Sequence, residues 1–470
     1  MFQSLIAKLS PDKDYPERQF RIDVLTRVLR GTIYQHLPYD FHTEQKEVTR
    51  EPIPIRERRP SVRSGLCKTV VDHSVSLLFA EGQFPALDCD DTPTREALTA
   101  LIKETHLNEV MIEAATLGSV GSVAIWLRVL KGRIFFSVLN TQFLTPIWCE
   151  DAPNKLNRVI EQYKVKGRAL KAQGYAIEEV DDATDYWFCR EWDDQQETWY
   201  LPWRCDDKKA NPQIDKARTQ AHHLGFTPLV WVKNLPGGDQ IDGVCTFEPA
   251  IDTVIEIDYQ LSQAGRGLKY SSDPLLVIKE PDRYTNQEGT LFKSAANALL
   301  LDAQGDARLL EINGKAAEAV IGYVRFLREL ALESIHGNRA SADRIHAAQS
   351  GRAMELMNQP LIWLADKLRI SYGEGALLSL LRMVVQASQI YPLTVAGEKV
   401  GKLNKKTKLS LRWPRWYAPT ADDRQKDAHT LQSLTANGLL SRETALHILA
   451  DTWDIGDVAA ERQRIDTEMN

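Results

Sequence analysis

Apolar residues recur at helical spacing in several stretches of the chain, and shorter runs between them alternate like strands. Residues 18–31 read as a helix. In residues 68–79, Val71, Val75, Leu78 and Phe79 share one face, and Gly82 follows as a stop. Another helix is expected over residues 94–118. A meander comes next, with strands at 123–130 and 133–139 joined through Lys131 and Gly132, a link short enough for a hairpin. Residues 159–166, 186–192 and 198–203 are further strands, the last two separated by a polar turn at 193–197. Residues 229–232 form a compact β-run before Pro236, Gly237, Gly238 and Gly243, which mark a turn and hinge.

From Cys245 to Tyr391 the pattern changes to long helices. Pro249 suits a first helical turn, and Ile251, Val254, Ile257 and Leu261 mark an apolar face. Glu248, Asp252, Glu256 and Asp258 cluster toward the N-terminal half, where the helix dipole favours negative charge, so an acidic helix with one buried stripe is expected. A small αβ insert follows, with strands at 275–279, 298–302 and 307–310, a helix near 290–298 and a turn at 303–306 around Gly305. A second long helix is expected over 314–335, with Val320, Val324, Leu327 and Ala331 on one face. Residues 337–351 are a Gly-bounded polar loop. Its Asn338, Arg339, Arg344 and His346 suit contact with a phosphate backbone or an adjacent subunit, or simple solvation. Residues 352–391 read as a long helix kinked near Pro360 and near Gly373 and Gly375. A return strand at 409–413, a helix start at 420–423, helices around Leu431 and Leu434 and around Ala445 to Leu449, and a polar helix at 458–469 complete the pattern.

The implied class is α+β, predominantly helical. At 470 residues, 43% hydrophobic and 26% charged, the composition is that of an ordinary globular protein with room for roughly two to four structural units. No apolar run approaches the roughly 20 residues a bilayer requires. Residues 1–11 lack the apolar core and cleavage site of a signal peptide, so the chain is expected in a cytoplasm. The six cysteines, Cys67, Cys89, Cys149, Cys189, Cys205 and Cys245, show no metal-ligand spacing and read as free thiols. A net charge of −6 argues against a surface that grips nucleic acid throughout, though not against one that lets it pass.

Candidate chemistry is sparse. Arg56, Arg58, Arg59 and Arg63 lie in a basic, Pro-containing segment over 50–63, expected as a loop or arm that touches phosphates or meets a neighbouring subunit. Trp187, Trp192, Trp199, Tyr200 and Trp203 suit base stacking, but cross-strand packing is the simpler reading and the one adopted. Asp88, Asp90 and Asp91, or Glu178, Glu179, Asp181 and Asp182, offer carboxylates of the kind that hold Mg²⁺ in nucleases, against the usual reading of solvated acidic loops. No GxxxxGK[ST] loop, HExxH helix or GxSxG elbow occurs, and Gly265-Arg266-Gly267 lacks the third glycine of a dinucleotide site. Neither catalysis nor a cofactor or metal is expected.

Three local motifs then carry a resemblance: Ser76-Leu77-Leu78-Phe79-Ala80-Glu81-Gly82, Gly225-Phe226-Thr227-Pro228-Leu229-Val230 and Ser350-Gly351-Arg352-Ala353. Each is weak alone. In their order around two long helices and an insert, they resemble the portal proteins of tailed bacteriophages over nearly the full chain. The resemblance implies a ring, commonly of about twelve copies, seated at one capsid vertex of the virion and assembled in the host cytoplasm. Such a ring conducts DNA during packaging and ejection, and docks the terminase motor and then head-completion or tail proteins. By analogy, residues 1–245 form the wing, 246–270 and 314–336 the two stem helices, 271–313 the clip, 337–349 the tunnel loop, 350–418 the rest of the wing and 419–470 the crown. The implied channel candidates are Asn338, Arg339, Arg344 and His346, and the implied motor-docking candidates in the clip are Lys279, Asp282, Arg283 and Lys293. Implied partners are further copies of the chain, double-stranded DNA, the terminase large subunit, the major capsid protein, scaffold, and adaptor or tail proteins, with no membrane. The Trp-rich strands and the Lys-rich stretch 401–408 are local departures that do not place the chain in a subgroup of the family. A non-portal structural ring or adaptor, and a metal-dependent nucleic-acid enzyme, are the alternatives.

Overall fold

Two units divide the chain, residues 1–69 with 247–335 and residues 70–246 with 336–470. The computed structural model describes residues 2–207, 209–272, 275–278, 307–310, 315–337, 355–417, 421–453 and 458–468. The fold is α+β, largely helical with several small sheets.

The first unit opens with α1 (Phe2–Ile6) and α2 (Glu17–Leu29), whose Ile22, Val24, Leu25 and Leu29 are buried. Strands β1 (Tyr39–Asp40) and β2 (Arg58–Arg59) pair in parallel. Within the basic segment over 50–63 Arg58 turns inward, and the expectation of phosphate contact fails there. Its buried guanidinium donates to the carbonyls of Ile53 (3.0 Å) and Glu44 (3.4 Å), and a group committed to buried carbonyls cannot reach a phosphate. Arg59 pairs with Asp40 at 2.8 Å, and Arg63 donates to the Gly31 carbonyl at 2.7 Å.

In α3 (Leu66–Phe79) the four residues of the expected face, Val71, Val75, Leu78 and Phe79, are buried. In the second unit, after β3 (Ala86–Cys89), the helix expected over 94–118 is two helices, α4 (Thr92–Glu104) and α5 (Leu107–Gly118). His106 adopts the left-handed conformation, φ +49°, which no continuous helix contains. The hairpin β4 (Ser122–Leu130) and β5 (Arg133–Asn140) turns on Lys131 and Gly132, both at positive φ, as a two-residue link of the primed type requires.

A six-stranded antiparallel sheet follows from β6 (Leu144–Trp148), β7 (Leu156–Lys166), β8 (Asp185–Trp192), β9 (Gln196–Trp199), β10 (Trp203–Arg204) and β11 (Gln220–Ala221), with the short α6 (Gly167–Ala172) between β7 and β8. Its order is β11-β9-β8-β7-β6, with β10 also on β8. The single strand expected at 198–203 is split because Pro202 has no N–H to continue the ladder. The aromatic residues pack. Trp192 is fully buried against Trp126 at 5.3 Å between ring centres, and the Arg190 guanidinium lies 4.5 Å from the Trp192 ring and 5.3 Å from Trp199. Glu161 and Glu197 neutralise that cation. Strand β12 (Leu229–Lys233) joins β4, giving the three-stranded order β12-β4-β5.

The first unit resumes with α7 (Ile251–Ser272), antiparallel strands β13 (Leu275–Ile278) and β14 (Ala307–Leu310), and α8 (Lys315–Ser334), which packs on α7. At about 1.5 Å per residue the two helices are each on the order of 30 Å long. The expected face of α8 turns inward, with Leu327 and Ala331 buried and Val320 and Val324 half-buried. Helix α7 departs from expectation. Besides Ile251, Val254 and Ile257 it buries Ile255, Asp258, Tyr259 and Ser262, so it is covered on far more than one stripe, and Asp258 belongs to the interior. The expected helix near 290–298 and strand at 298–302 lie outside the described residues.

In the second unit, α9 (Gln359–Leu368) carries Pro360 in its first turn, where a missing N–H leaves no bond unmade. The kink expected at Gly373 and Gly375 takes the form of a π-helical segment, Arg369–Leu377, leading into α10 (Leu378–Ala387). The hairpin β15 (Leu393–Val395) and β16 (Glu398–Val400) precedes β17 (Leu409–Arg412), which pairs antiparallel with β3. Helices α11 (Ala421–Ala436), α12 (Arg442–Trp453) and α13 (Val458–Glu468) end the described chain. Gly438 follows α11 at φ +68°, and the Ser441 hydroxyl accepts the Thr444 N–H at 3.1 Å at the start of α12.

Candidate functional site

The channel candidates Asn338, Arg339, Arg344 and His346, and the docking candidates Lys279, Asp282, Arg283 and Lys293, lie outside the described residues. The described residues present two other constellations, one in each unit.

In the second unit, a groove of about 430 Å³ runs beside α10. The helix offers Ser379, Arg382, Met383 and Gln386, spaced as one helical face, with Gly375 of the π-helical segment next to them. Asn154 and Lys155 also line it. They end the tight link from β6 to β7, which is closed by Cys149 N–H to the Lys155 carbonyl (2.9 Å) and Lys155 N–H to the Ala152 carbonyl (2.8 Å). The lining also includes Leu156, Phe226, Leu229 and Val230, with Trp148 and Trp231. The Trp231 indole N–H donates to the Ile241 carbonyl at 2.8 Å, which fixes its ring. Thr227 donates to the Asn157 carbonyl at 2.6 Å and ties the floor to β7.

The π-helical segment behind this groove is held by a buried polar hub. The Tyr372 hydroxyl donates to Asn234 Oδ1 at 3.1 Å. Asn234 Nδ2 in turn donates to the Val244 carbonyl (2.8 Å), Thr246 Oγ1 (2.9 Å) and the Ser119 carbonyl (3.4 Å). Both side chains are wholly buried. Gly118 is required here, since a Cβ at that position would sit 2.1 Å from the Tyr372 hydroxyl oxygen. On the other side of the segment Gly373 faces Trp413, and a Cβ there would lie 2.4 Å from the indole. The Arg369 guanidinium stacks 3.2 Å from the Trp416 ring centre and 4.6 Å from Trp413, and burial lowers its pKa to about 10. Departures from regular helix of this kind often accompany functional surfaces.

In the first unit, Asp258 of α7 accepts from the Tyr34 hydroxyl (2.8 Å) and the Ser64 N–H (2.7 Å). Burial still holds its carboxyl above the usual range, and the neighbouring Cys67 thiol is pushed up to about 12 by its own burial and by Asp258. Both groups therefore resist ionisation, and the cluster serves to tie α7 to the segments around Tyr34 and Ser64. A carboxyl with a raised folded value contributes stability that is fully present below the unfolded value, about 3.9, and lost as the pH rises through the folded one. Wild-type protein is expected to gain stability relative to Asp258→Asn, which cannot take up that proton, as the pH falls from about 7 to about 4. Denaturation midpoints of the two proteins across that window, with hydrogen exchange in α7 read in parallel, check this. A difference that does not vary with pH would exclude Asp258 from the titrating groups.

The acidic clusters do not converge. Asp91 caps α4 by accepting the Thr94 N–H at 3.0 Å, Asp90 accepts from Thr407 and from the Lys408 N–H, and Asp181 pairs with Arg204 at 3.3 Å. Among the described residues no group of three or more His, Cys, Asp or Glu is placed to hold a metal ion, and no helix is long and apolar enough to cross a membrane. All six cysteines are free thiols. The groove and Asp258 were not singled out from sequence. The spacing of Ser379, Arg382, Met383 and Gln386 was visible, as was the position of Asp258 on the face of Ile251 and Val254, but nothing local placed Lys155 in one groove with Arg382.

No protein-family model and no curated relative matches the chain. Among solved structures it is similar to a chain of the virion of a native gene transfer agent particle, at 12% identity and a TM-score of 0.37, over 82% of this chain and 88% of that one.

Proposed function

We propose that the chain is a subunit of a portal ring, a non-enzymatic conduit for double-stranded DNA at one capsid vertex. The observation that carries this reading is the excursion from Ile251 to Ser334, in which two long helices pack on each other and are joined through antiparallel β13 and β14. A stave that leads out to a small β-rich tip and back is what the stem and clip of such a ring require. The sequence motifs around it occur in the order expected of the portal family.

Exposed apolar stripes support assembly. On α8, Tyr323, Phe326 and Leu330 recur at helical spacing, and Phe326 is 60% exposed. In the second unit Leu356, Trp363 and Ile370 recur every seven residues, with Trp363 55% and Ile370 65% exposed. A head-to-tail ring needs two unlike patches on each subunit, one for each neighbour, and this reading assigns the two stripes to them. The acidic balance of −6 per chain suits a bore that passes DNA without gripping it, and Arg339 and Arg344 in the polar sequence over 337–349 are the sparse cations that keep a duplex centred in this reading. The motor that docks at the clip and the capsid, scaffold, adaptor and tail proteins around the ring are the partners of this reading.

Reversing charge at Arg339 and Arg344 together, each to Glu, is expected to leave rings intact and to lower the DNA retained per particle in a packaging assay. Unchanged packaging and retention would remove the loop from the channel wall.

A further inference from the structure

The groove beside α10 has a chemistry that the ring reading does not use. Its rim carries Asn154, Lys155, Ser379, Arg382 and Gln386, and none of these five side chains makes a hydrogen bond or ion pair among the described residues. Polar groups that converge around an apolar floor are the usual signature of a binding site, and about 430 Å³ is within the size range of such sites. Among the described residues of the lining, the formally charged side chains are Lys155 and Arg382, both positive, on a chain whose net charge is −6. Cations that line one cleft of an acidic protein, with no partner among the described residues, select an anionic occupant.

The floor decides which anion. Phe226, Leu229 and Val230 with the edge of Trp148 form an apolar surface that a phosphodiester backbone would leave wet, and two cations are too few to follow a strand of phosphates. An apolar side chain fills that floor while carboxylates beside it meet the rim. We propose that the groove docks a short acidic peptide segment of a partner protein, anchored by one large apolar side chain. Its carboxylates pair with Lys155 and Arg382, and its backbone and polar groups meet Asn154, Ser379 and Gln386. The π-helical segment fits this role, because its extra residue per turn shifts the face that α10 presents, and the Asn234–Tyr372 hub keeps that face fixed before the partner arrives.

The test is selection of a random displayed-peptide library on the full-length protein, followed by fluorescence anisotropy with the selected peptides made synthetically. Enriched sequences are expected to place Asp or Glu within two or three positions of Leu, Phe, Met or Trp. Arg382→Glu and Lys155→Glu are each expected to weaken the selected peptides by about tenfold or more, and added salt to weaken them further. Both side chains are exposed and unbonded, so unchanged circular dichroism and thermal midpoint are expected of the variants. The absence of enrichment, enrichment without acidic bias, or binding indifferent to both reversals would each overturn the proposal. Displacement of a selected peptide by a mononucleotide at equal concentration would overturn it in favour of a phosphate ligand. The proposal does not depend on the ring: rings that form without acidic-peptide binding would sink only this inference.

Discussion

Replacing Asn234 by Ala is expected to lower the stability of the second unit by about 3–5 kcal/mol, the largest single-residue effect outside the apolar core. The substitution leaves the Tyr372 hydroxyl without its acceptor and takes the donor from the Val244 and Ser119 carbonyls and from Thr246. Each buried group stranded in this way costs about 1–3 kcal/mol. Tyr372→Phe removes one donor and leaves Asn234 with three of its four bonds, so about 1–2 kcal/mol is expected. Gly118→Ala drives a methyl into the Tyr372 hydroxyl and costs about 1–3 kcal/mol, part of which Tyr372→Phe restores in the double variant by removing the oxygen in the way. Chemical denaturation, with hydrogen exchange followed in β4 and β12, measures all four proteins. Near-equal losses for Asn234→Ala and Tyr372→Phe would mean that the hub acts through the tyrosine alone.

The second large effect concerns assembly. Phe326→Asp and Trp363→Asp are each expected to abolish rings while leaving a folded chain, since both side chains are mostly exposed in the subunit and each stripe lies in an interface of the proposed ring. A buried aromatic at an interface typically contributes 2 kcal/mol or more, roughly 30-fold in affinity per contact, and burying a carboxylate in its place adds a further penalty. The loss repeats at every interface around a closed ring. Light scattering after size-exclusion chromatography reads the outcome, with circular dichroism as the control for folding. Intact rings from both variants would show that neither stripe is an interface. Loss from only one would assign the other stripe to a different partner.

Elements with strong local signals were legible from sequence. The face of α3 and its Gly82 stop, the two-residue link between β4 and β5, the Ser441 cap of α12 and the irregularity at Gly373 and Gly375 all rest on residues whose conformational demands are met within a few positions. The break at His106 was hidden because the apolar spacing continues across it, while the left-handed turn that separates α4 from α5 has no compositional mark. Strand β3 was missed because its partner β17 is distant in sequence, and β15 and β16 are three residues each, too short to show alternation. Arg58 looked like one more member of a solvated basic run. Its inward turn follows from the carbonyls of Ile53 and Glu44, which only the folded loop brings together. Asp258 was read with the acidic cluster favoured by the helix dipole, although its helical phase already placed it with Ile251 and Val254. The groove is tertiary in origin, since Lys155 and Arg382, distant in sequence, line one groove only in the folded chain.

Electron microscopy of the purified protein, with particles classified down the symmetry axis, tests the central claim most directly. The account predicts closed rings of about twelve subunits around a channel wide enough for duplex DNA. A stable monomer or compact dimer across varied salt and protein concentration would contradict it.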